Sequence, residues 1–536
     1  MASSCEVLPA VVQQMLAPGF YPHPTDGSIT LLQTHISYVL LTGTYAYKLK
    51  KPVKLEFLDF RTLDDRRHFL LEEIRLNSRG APGIYLGVLP ISASSTGFHL
   101  DDPAAPVEYA LKMQQFPQDA LFTRLLKQGK VDDRLIDSLA RGIAEYHQNS
   151  PTDEIISQFG TPERIRGVLN ENYRQTERYL GDPQTVEQFE QTRRFTDRFC
   201  SSRSSLLQHR VAHGFIRECH GDLHLGNICL WGDRVLFFDC IEFNELFRYI
   251  DVMQDAAFAI MDLEASGRGD LAWLLLNIYV ERTGDWEGLQ VLPLYLTRHA
   301  YVRAKVNSLL LEEADVSELA KHEALESARN YYRQAWQYAQ ARRGRLIVVC
   351  GPPGAGKSTV AQYLGKHLRA VYVRSDAVRK HLAGIALDQR GEPAIYNQAT
   401  TAKTYERLLQ LGLLLARDGF TVILDGKYDL RANRCTVIES ARAAQIPLQF
   451  VFCAAPLQVR RERLLKRRGD ISDATAELLD RQEIQFEEFA ECELPLVINL
   501  PTMGNTHLPQ ELPPEAHTGP SYGKTFEDLV CSLRTG

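Results

Sequence analysis

Past Arg345 the chain alternates between two patterns. Short apolar runs predict strands: LIVVC (Leu346 to Cys350), VYVRSD (Val371 to Asp376), TVILDG (Thr421 to Gly426), LQFVFCA (Leu448 to Ala454) and PLVINL (Pro495 to Leu500). Between them lie VAQYLGKHL, TYERLLQLGLLLARDG, RANRCTVIESARAAQ and PLQVRRERLLKRRG, whose apolar positions recur at helical spacing. Strand and helix in strict turn predict a parallel sheet covered by helices, an α/β domain.

Before Gly344 the pattern is mixed. Residues 1 to about 30 predict a short helix and then a Pro/Gly-rich turn region. HISYVLL and YAYKLKK, between His35 and Lys51, predict two strands around a tight turn, and Pro52 ends the second. Leu63 to Gly83 predicts a helix with Phe69, Leu70, Ile74 and Leu76 apolar, stopped between Gly80 and Gly83. YLGVLPIS and VEYALKMQQF predict further strands, parted by a polar hairpin near Asp101 to Pro106. Gln118 to Leu206 is helically spaced. Within Val211 to Asn244, ICL and VLFF flank a WGDR turn and predict a hairpin. Arg248 to Arg343 is mostly helical again, without tandem repeats. This is an α+β arrangement. Its charged last helix ends at Gly344, the natural boundary. The expected domains are 1–344 (small lobe about 30–116, large lobe about 117–344) and 345–500. A Pro/Gly/Thr-rich, mobile tail is expected over 501–536, with a last helical turn after Ser521.

Composition narrows the function classes. A chain of 536 residues is too long for one core. A net charge of −6 gives no overall drive toward nucleic acid or anionic membrane. The ten cysteines are scattered and form no C-x-x-C, which points to free thiols in a reducing compartment. The N-terminus lacks a basic region ahead of a long apolar core, and no apolar run is long enough to span a membrane. A cytoplasmic location is the expectation.

The sharpest chemistry lies in GPPGAGKST, Gly351 to Thr359, between a strand and a helix. Glycines at Gly351, Gly354 and Gly356 let successive N–H groups converge on one anion, and the helix N-terminus adds its positive dipole end. Lys357 can reach the β- and γ-phosphates of a nucleotide, the Ser358 hydroxyl can ligate Mg²⁺, and Thr359 completes the motif. Asp425 ends a strand at the sheet edge that carries ligands, where an acidic group linked to Mg²⁺ belongs; a strand-end cap is the plainer reading. Asp376, in RSDAVRK, can take the proton of an attacking hydroxyl, or can simply cap the helix after it. Arg460, Arg463 and Arg467 share one helix face by i, i+3, i+4 spacing. Such a face is a solvated surface, a nucleic-acid patch or a phosphoryl-transfer lid.

Over Arg345 to Leu500 the chain resembles the small-molecule kinase branch of the P-loop fold, including gluconate kinases, polynucleotide 5′-kinases and zeta-toxin-like kinases. The resemblance rests on GPPGAGKST, SDAVRK, ILDG and R-x-x-R followed by SDAT (Ser472 to Thr475). It implies ATP as donor, with Asp376 and Arg379 near the acceptor. Lys427 stands where the family commonly has a small or aromatic residue.

The second constellation is HGDLHLGN. His220, Asp222 and Asn227 have the spacing H-x-D-x-x-x-x-N. Kinases use that Asp to orient or deprotonate the acceptor hydroxyl and that Asn to hold Mg²⁺. Asp239 follows in VLFFDCIEF, where a second Mg²⁺ ligand belongs, with Glu242 as a nearby carboxylate. Upstream, Lys48 in a strand and Glu73 in the next helix have the order of a phosphate-anchoring pair. Ile36 to Leu296 resembles aminoglycoside phosphotransferases and choline-kinase-like proteins. The resemblance implies that Asp251, in RYIDVMQDAAF, braces the catalytic loop. LLTGTYAYK has no G-x-G-x-x-G, and FDC replaces D-F-G; aminoglycoside phosphotransferases share both departures. The whole chain resembles bacterial fused aminoglycoside phosphotransferase-like and P-loop ATP-binding proteins. That is a resemblance of fold, which does not make an antibiotic the substrate.

The expectation is therefore a two-domain protein, an α+β kinase-like fold followed by an α/β P-loop domain. It would use ATP and Mg²⁺ to phosphorylate hydroxyl groups of small molecules at two sites. The alternatives are an N-terminal pseudokinase that senses a ligand and a nucleic-acid end kinase using the Arg460 to Arg468 face; the acidic balance weighs against the latter.

Overall fold

The computed structural model describes residues 8–55, 58–313, 316–466, 471–473, 479, 486–502 and 526–535. The chain forms two compact units, Met1–Ser266 with Val291–Ala339, and Gly267–Gln290 with Gln340–Gly536. The sequence alone places one boundary at Gly344. The chain instead passes between the units three times, because residues 267–290 leave the first and join the second. Among the described residues no helix is long and apolar enough to cross a membrane.

The first unit opens with a six-stranded antiparallel sheet. Strands Ser37–Leu41 and Tyr45–Lys50 pair around the expected tight turn, and Tyr45–Lys50 also pairs with Pro106–Gln114. Alternation along Tyr45–Lys50 puts Lys48 and Lys50 on one face of the sheet. The helix Leu63–Gly80 starts at Thr62, whose side chain accepts the Asp65 N–H. Its buried face carries Leu70, Glu73, Leu76 and Asn77. Two strands depart from the sequence reading. Thr30–Gln33 is a mostly exposed edge strand with no alternation to mark it. Gly97–Leu100 turns back onto Tyr85–Ser94, so the hairpin falls before Asp101 rather than after it.

Beyond Gln114 the unit is helical apart from short pairings. Ile228–Trp231 and Arg234–Phe237 form the expected hairpin. Ile216–Glu218 pairs with Tyr249–Asp251, a bridge too short to show as a periodic pattern. This bridge and the hairpin bracket the segment that holds Asp222, and the helix Val252–Ala265 is buried along almost its whole length behind it.

The second unit has five parallel strands in the order Val371–Arg374, Thr421–Asp425, Arg345–Cys350, Leu448–Ala454, Val497–Pro501. The central strand is buried from Leu346 to Cys350, as a strand covered on both faces must be. Within the expected tail, Phe526–Thr535 is a helix whose Leu529, Val530 and Leu533 join the core with Val360, Leu364 and Leu500; 503–525 lie outside the described residues. The helix Gly269–Thr283 packs on the helix Lys357–Leu368 and the strand Val371–Arg374.

Candidate active sites

In the second unit the loop after Arg345–Cys350 bends sharply. Gly351 has φ 136° and Gly356 has φ 85°. A Cβ on Gly351 would run into the Cys453 carbonyl, so only glycine lets the two strand ends come this close. Gly354 packs on the Arg460 backbone, and Thr359 lies in the first turn of the helix Lys357–Leu368. Lys357 Nζ donates to the Pro352 carbonyl at 3.1 Å, folding back over the loop. Ser358 Oγ donates to Asp425 Oδ2 at 2.8 Å. Asp425 is 4% exposed and is the last residue of its strand. A hydroxyl and a carboxylate in contact are an oxygen-only donor set, which fits a hard cation such as Mg²⁺.

Asp376 sits in the first turn of the helix Ser375–Leu382, whose cap is Arg374 with no side-chain capping bond. The capping reading of Asp376 thus has no bond behind it. One turn on, Arg379 Nη1 donates to the Ile395 carbonyl at 2.9 Å and to Thr401 Oγ1 at 3.1 Å. Its guanidinium lies over the Tyr396 ring at 5.0 Å. Lys427 pairs with Asp429 at 2.7 Å. Arg463 Nη2 donates to the Thr502 carbonyl at 2.9 Å, and its Nη1 reaches the Gly354 carbonyl at 3.5 Å. Arg463 is therefore turned onto the phosphate loop and not spread on a solvated face. Arg467 lies outside the described residues.

In the first unit a chain of ion pairs links the two lobes. Lys48 Nζ contacts Glu73 Oε1 and Asp239 Oδ1, each at 2.7 Å. Lys50 Nζ contacts the other Glu73 oxygen at 2.9 Å and Glu242 Oε1 at 2.5 Å. Glu73 is fully buried, so its charge depends on these two cations. Burial would lower the Lys48 ammonium, but Asp239 and Glu73 outweigh it and hold its pKa well above the usual lysine range. Glu242 is spent on Lys50 and is not a spare metal ligand.

Asp239 has φ 61°, a left-handed backbone that a non-glycine residue adopts only when its surroundings impose it. Its N–H donates to the Tyr85 hydroxyl at 3.0 Å, and the next N–H, of Cys240, donates to Asn77 Oδ1 at 2.8 Å. Asn227 Nδ2 donates to Asp222 O at 3.0 Å and to Asp222 Oδ2 at 3.1 Å. That leaves the Asn227 amide oxygen without a part in these bonds, and with the Asp239 carboxylate it supplies oxygen donors of the kind that suits Mg²⁺. His224 Nδ1 accepts the Gly226 N–H at 3.0 Å, so the proton is assigned to Nε2, 3.4 Å from Asp222 Oδ2. Burial pushes the Asp222 carboxyl up, but His224 and His220 outweigh it and hold its pKa to about 2.

The brace of this loop is not the one implied by resemblance. Asp251 pairs with Arg210 at 2.5 and 2.7 Å and caps the helix Val252–Ala265 through the Met253 N–H. Asp255, one turn later, accepts the His220 N–H at 2.9 Å on Oδ2 and the Gly221 N–H at 2.9 Å on Oδ1. His147 Nε2 meets Oδ2 at 3.0 Å. Cys219 completes a buried His147–Cys219–Asp255 cluster within 4.8 Å. Both Asp255 oxygens are already engaged, so the cluster holds the loop. Asp255→Asn should cost about 3 kcal/mol, because the amide keeps one acceptor oxygen and turns its NH₂ on the other buried N–H, leaving that donor unpaired. Urea unfolding of the full chain measures this, and an unchanged midpoint would show that the loop is held otherwise.

Sequence reasoning missed Lys50, Tyr85, Asp255 and Tyr372. Lys50 was within reach, since i, i+2 positions of a strand share a face. Asp255 lay one helical turn from the residue chosen. Tyr85 and Tyr372 carry no local signal, because their hydroxyls act on residues 154 and 53 positions away.

The phosphotransferase enzyme family matches residues 117–292, and an AAA domain family matches 346–489. The uncharacterized protein Rv2004c of Mycobacterium tuberculosis (strain H37Rv) is 30% identical over 464 residues, covering 85% of this chain and 90% of its own. A cytidylate kinase of Ignicoccus hospitalis is 27% identical over 159 residues, covering 27% of this chain and 77% of its own. Two solved structures are also similar. A choline/ethanolamine kinase family protein from Mesorhizobium loti has 11% identity, covers 61% of this chain and 99% of its own, and has a TM-score of 0.35. A gluconokinase from Sinorhizobium meliloti 1021 has 22% identity, covers 30% and 83%, and has a TM-score of 0.22. The mycobacterial match runs through both units and is high enough to fix kinship: the chain belongs to that protein's family, phosphotransferase enzymes that join an aminoglycoside phosphotransferase-like kinase domain to a P-loop kinase domain.

Proposed function

We propose that both units transfer phosphate from ATP to hydroxyl groups of small molecules, so that one chain carries two nucleotide sites. The observation that carries this reading is the pairing of Lys48 with both Glu73 and Asp239 at 2.7 Å. A unit that only sensed a ligand would have no need to keep this assembled beside Asp222 and Asn227. In the first unit Lys48 binds phosphate oxygens, Glu73 fixes Lys48, and Asp222 orients the acceptor hydroxyl. A carboxylate with a pKa of about 2 is a weak base, so orientation is its main contribution and the hydroxyl proton leaves late. In the second unit the loop N–H groups and Lys357 hold the phosphates, Arg463 faces the loop as developing charge requires, and Asp376 takes the acceptor proton with Arg379 beside it. Mg²⁺, held by Asn227 and Asp239 in one unit and by Ser358 and Asp425 in the other, would neutralise phosphate charge when bound.

Calorimetric titration of the full chain with Mg·ATP tests the count. The expected result is about two nucleotides per chain, one in Lys357→Ala, one in Asp239→Ala and none in the double variant. A wild-type count of one that Asp239→Ala leaves unchanged would make the first unit a pseudokinase.

A further inference from the structure

Tyr372 lies on the edge strand Val371–Arg374 and has no part in the phosphate-loop motif. Its ring joins the core cluster of the second unit and is 4% exposed. Its hydroxyl donates to Asp425 Oδ2 at 2.9 Å, the same oxygen that accepts Ser358 Oγ at 2.8 Å. Two donors on one carboxylate oxygen fix the rotation of the group. Tyr372 is itself gripped. Its backbone N–H donates to Asn277 Oδ1 at 2.7 Å, while Asn277 Nδ2 donates to the Ala370 carbonyl at 3.0 Å. This strand is at the edge of the sheet, so these groups have no further strand to pair with. Asn277 is 7% exposed and sits mid-way along the helix Gly269–Thr283. Further bonds hold that helix in the unit: His381 Nε2 meets the Glu281 carbonyl at 2.8 Å, and Arg282 pairs with Asp388 at 2.6 Å.

We infer that Tyr372 and Asn277 are positioning residues for the cation end of the P-loop site, with Tyr372 setting the orientation of Asp425 and Asn277 setting Tyr372. The order of action is Asn277 on the strand backbone, the Tyr372 hydroxyl on Asp425, and Asp425 with Ser358 on the cation. A stretch that the phosphotransferase family match includes thus completes the site of the other domain. This rests on the assignment of Ser358 and Asp425 to Mg²⁺ made above.

The test is Tyr372→Phe in full-length protein with Asp239→Ala, so that only the P-loop site reports. ATP binding is titrated in EDTA and again across a Mg²⁺ series. Tyr372→Phe keeps the buried ring and removes one hydrogen bond to a charged group. The expected result is EDTA binding within about twofold of the parent and a Mg²⁺ half-saturation raised about tenfold. Asn277→Ala should shift it in the same direction, with the melting temperature followed alongside. A purely structural role would weaken binding equally with and without Mg²⁺, and that outcome overturns the inference, as does an unchanged Mg²⁺ series in Tyr372→Phe. If Lys357→Ala in the same background leaves ATP binding intact, it is the P-loop assignment itself that fails, which separates the two.

Discussion

Lys357→Ala will lose most of the nucleotide binding of the second unit, about a hundredfold in Kd. The side chain already folds over the loop onto the Pro352 carbonyl, so its ammonium reaches phosphates without reordering the backbone. A charge-assisted bond to a multiply charged phosphate is among the strongest single contacts a site can make. Alanine keeps the helix start, because the cap is Gly356 in a left-handed conformation and not the lysine. Unfolding should therefore be nearly unchanged while binding collapses. Asp376→Asn gives the complementary result: near-normal ATP affinity and turnover lowered at least about a hundredfold. Unchanged nucleotide affinity in Lys357→Ala, measured in the Asp239→Ala background, would remove the phosphate role.

Asp222→Asn, in the Lys357→Ala background, will leave Mg·ATP binding within a few-fold and lower transfer by about a thousandfold. Asp239→Ala will instead weaken Mg·ATP binding by at least about tenfold, since the site then loses one of the two residues proposed to hold Mg²⁺. Single-turnover assays separate the two from each other. The pH dependence follows from the depressed carboxyl. A folded pKa of about 2 lies below the ordinary 3.8, so Asp222 is ionised at every pH where the enzyme works. Its stabilising charge is fully present above 3.8 and is lost as pH falls through about 2. The pH–rate profile of the first unit should have no limb owed to Asp222 between about pH 5 and 8. An inflection in that range that disappears in Asp222→Asn would show that the carboxyl titrates far higher.

Much of this was legible in the sequence because the signals are local. GPPGAGKST and its strand–helix context need only about twenty consecutive residues, and the parallel sheet follows from the alternation after Arg345. Lys48, Glu73, Asp222, Asn227 and Asp239 could be placed in one site because their order along the chain is itself informative. What stayed hidden depends on long-range geometry. Asp255 and Asp251 both stand at the start of one buried helix, and only the backbone N–H groups of His220 and Gly221 distinguish them. The strand Thr30–Gln33 is too exposed to show alternation. The helix Gly269–Thr283 looks in sequence like one more helix of the N-terminal half. Its apolar residues do not say which core they enter.

That helix also governs how the protein can be divided. A chain stopped after Ala339 would keep residues 267–290 but lose the helix Lys357–Leu368 and the strand Val371–Arg374, on which the helix Gly269–Thr283 packs. Each large apolar side chain uncovered on that face would cost about 1.5–3 kcal/mol. A fragment starting at Arg345 would lack Asn277, leaving the Tyr372 N–H and the Ala370 carbonyl unpaired at a bare sheet edge. No single cut separates the two units. Truncation from either end therefore disturbs both units at once, because residues 267–290 lie in sequence inside the first and fold with the second.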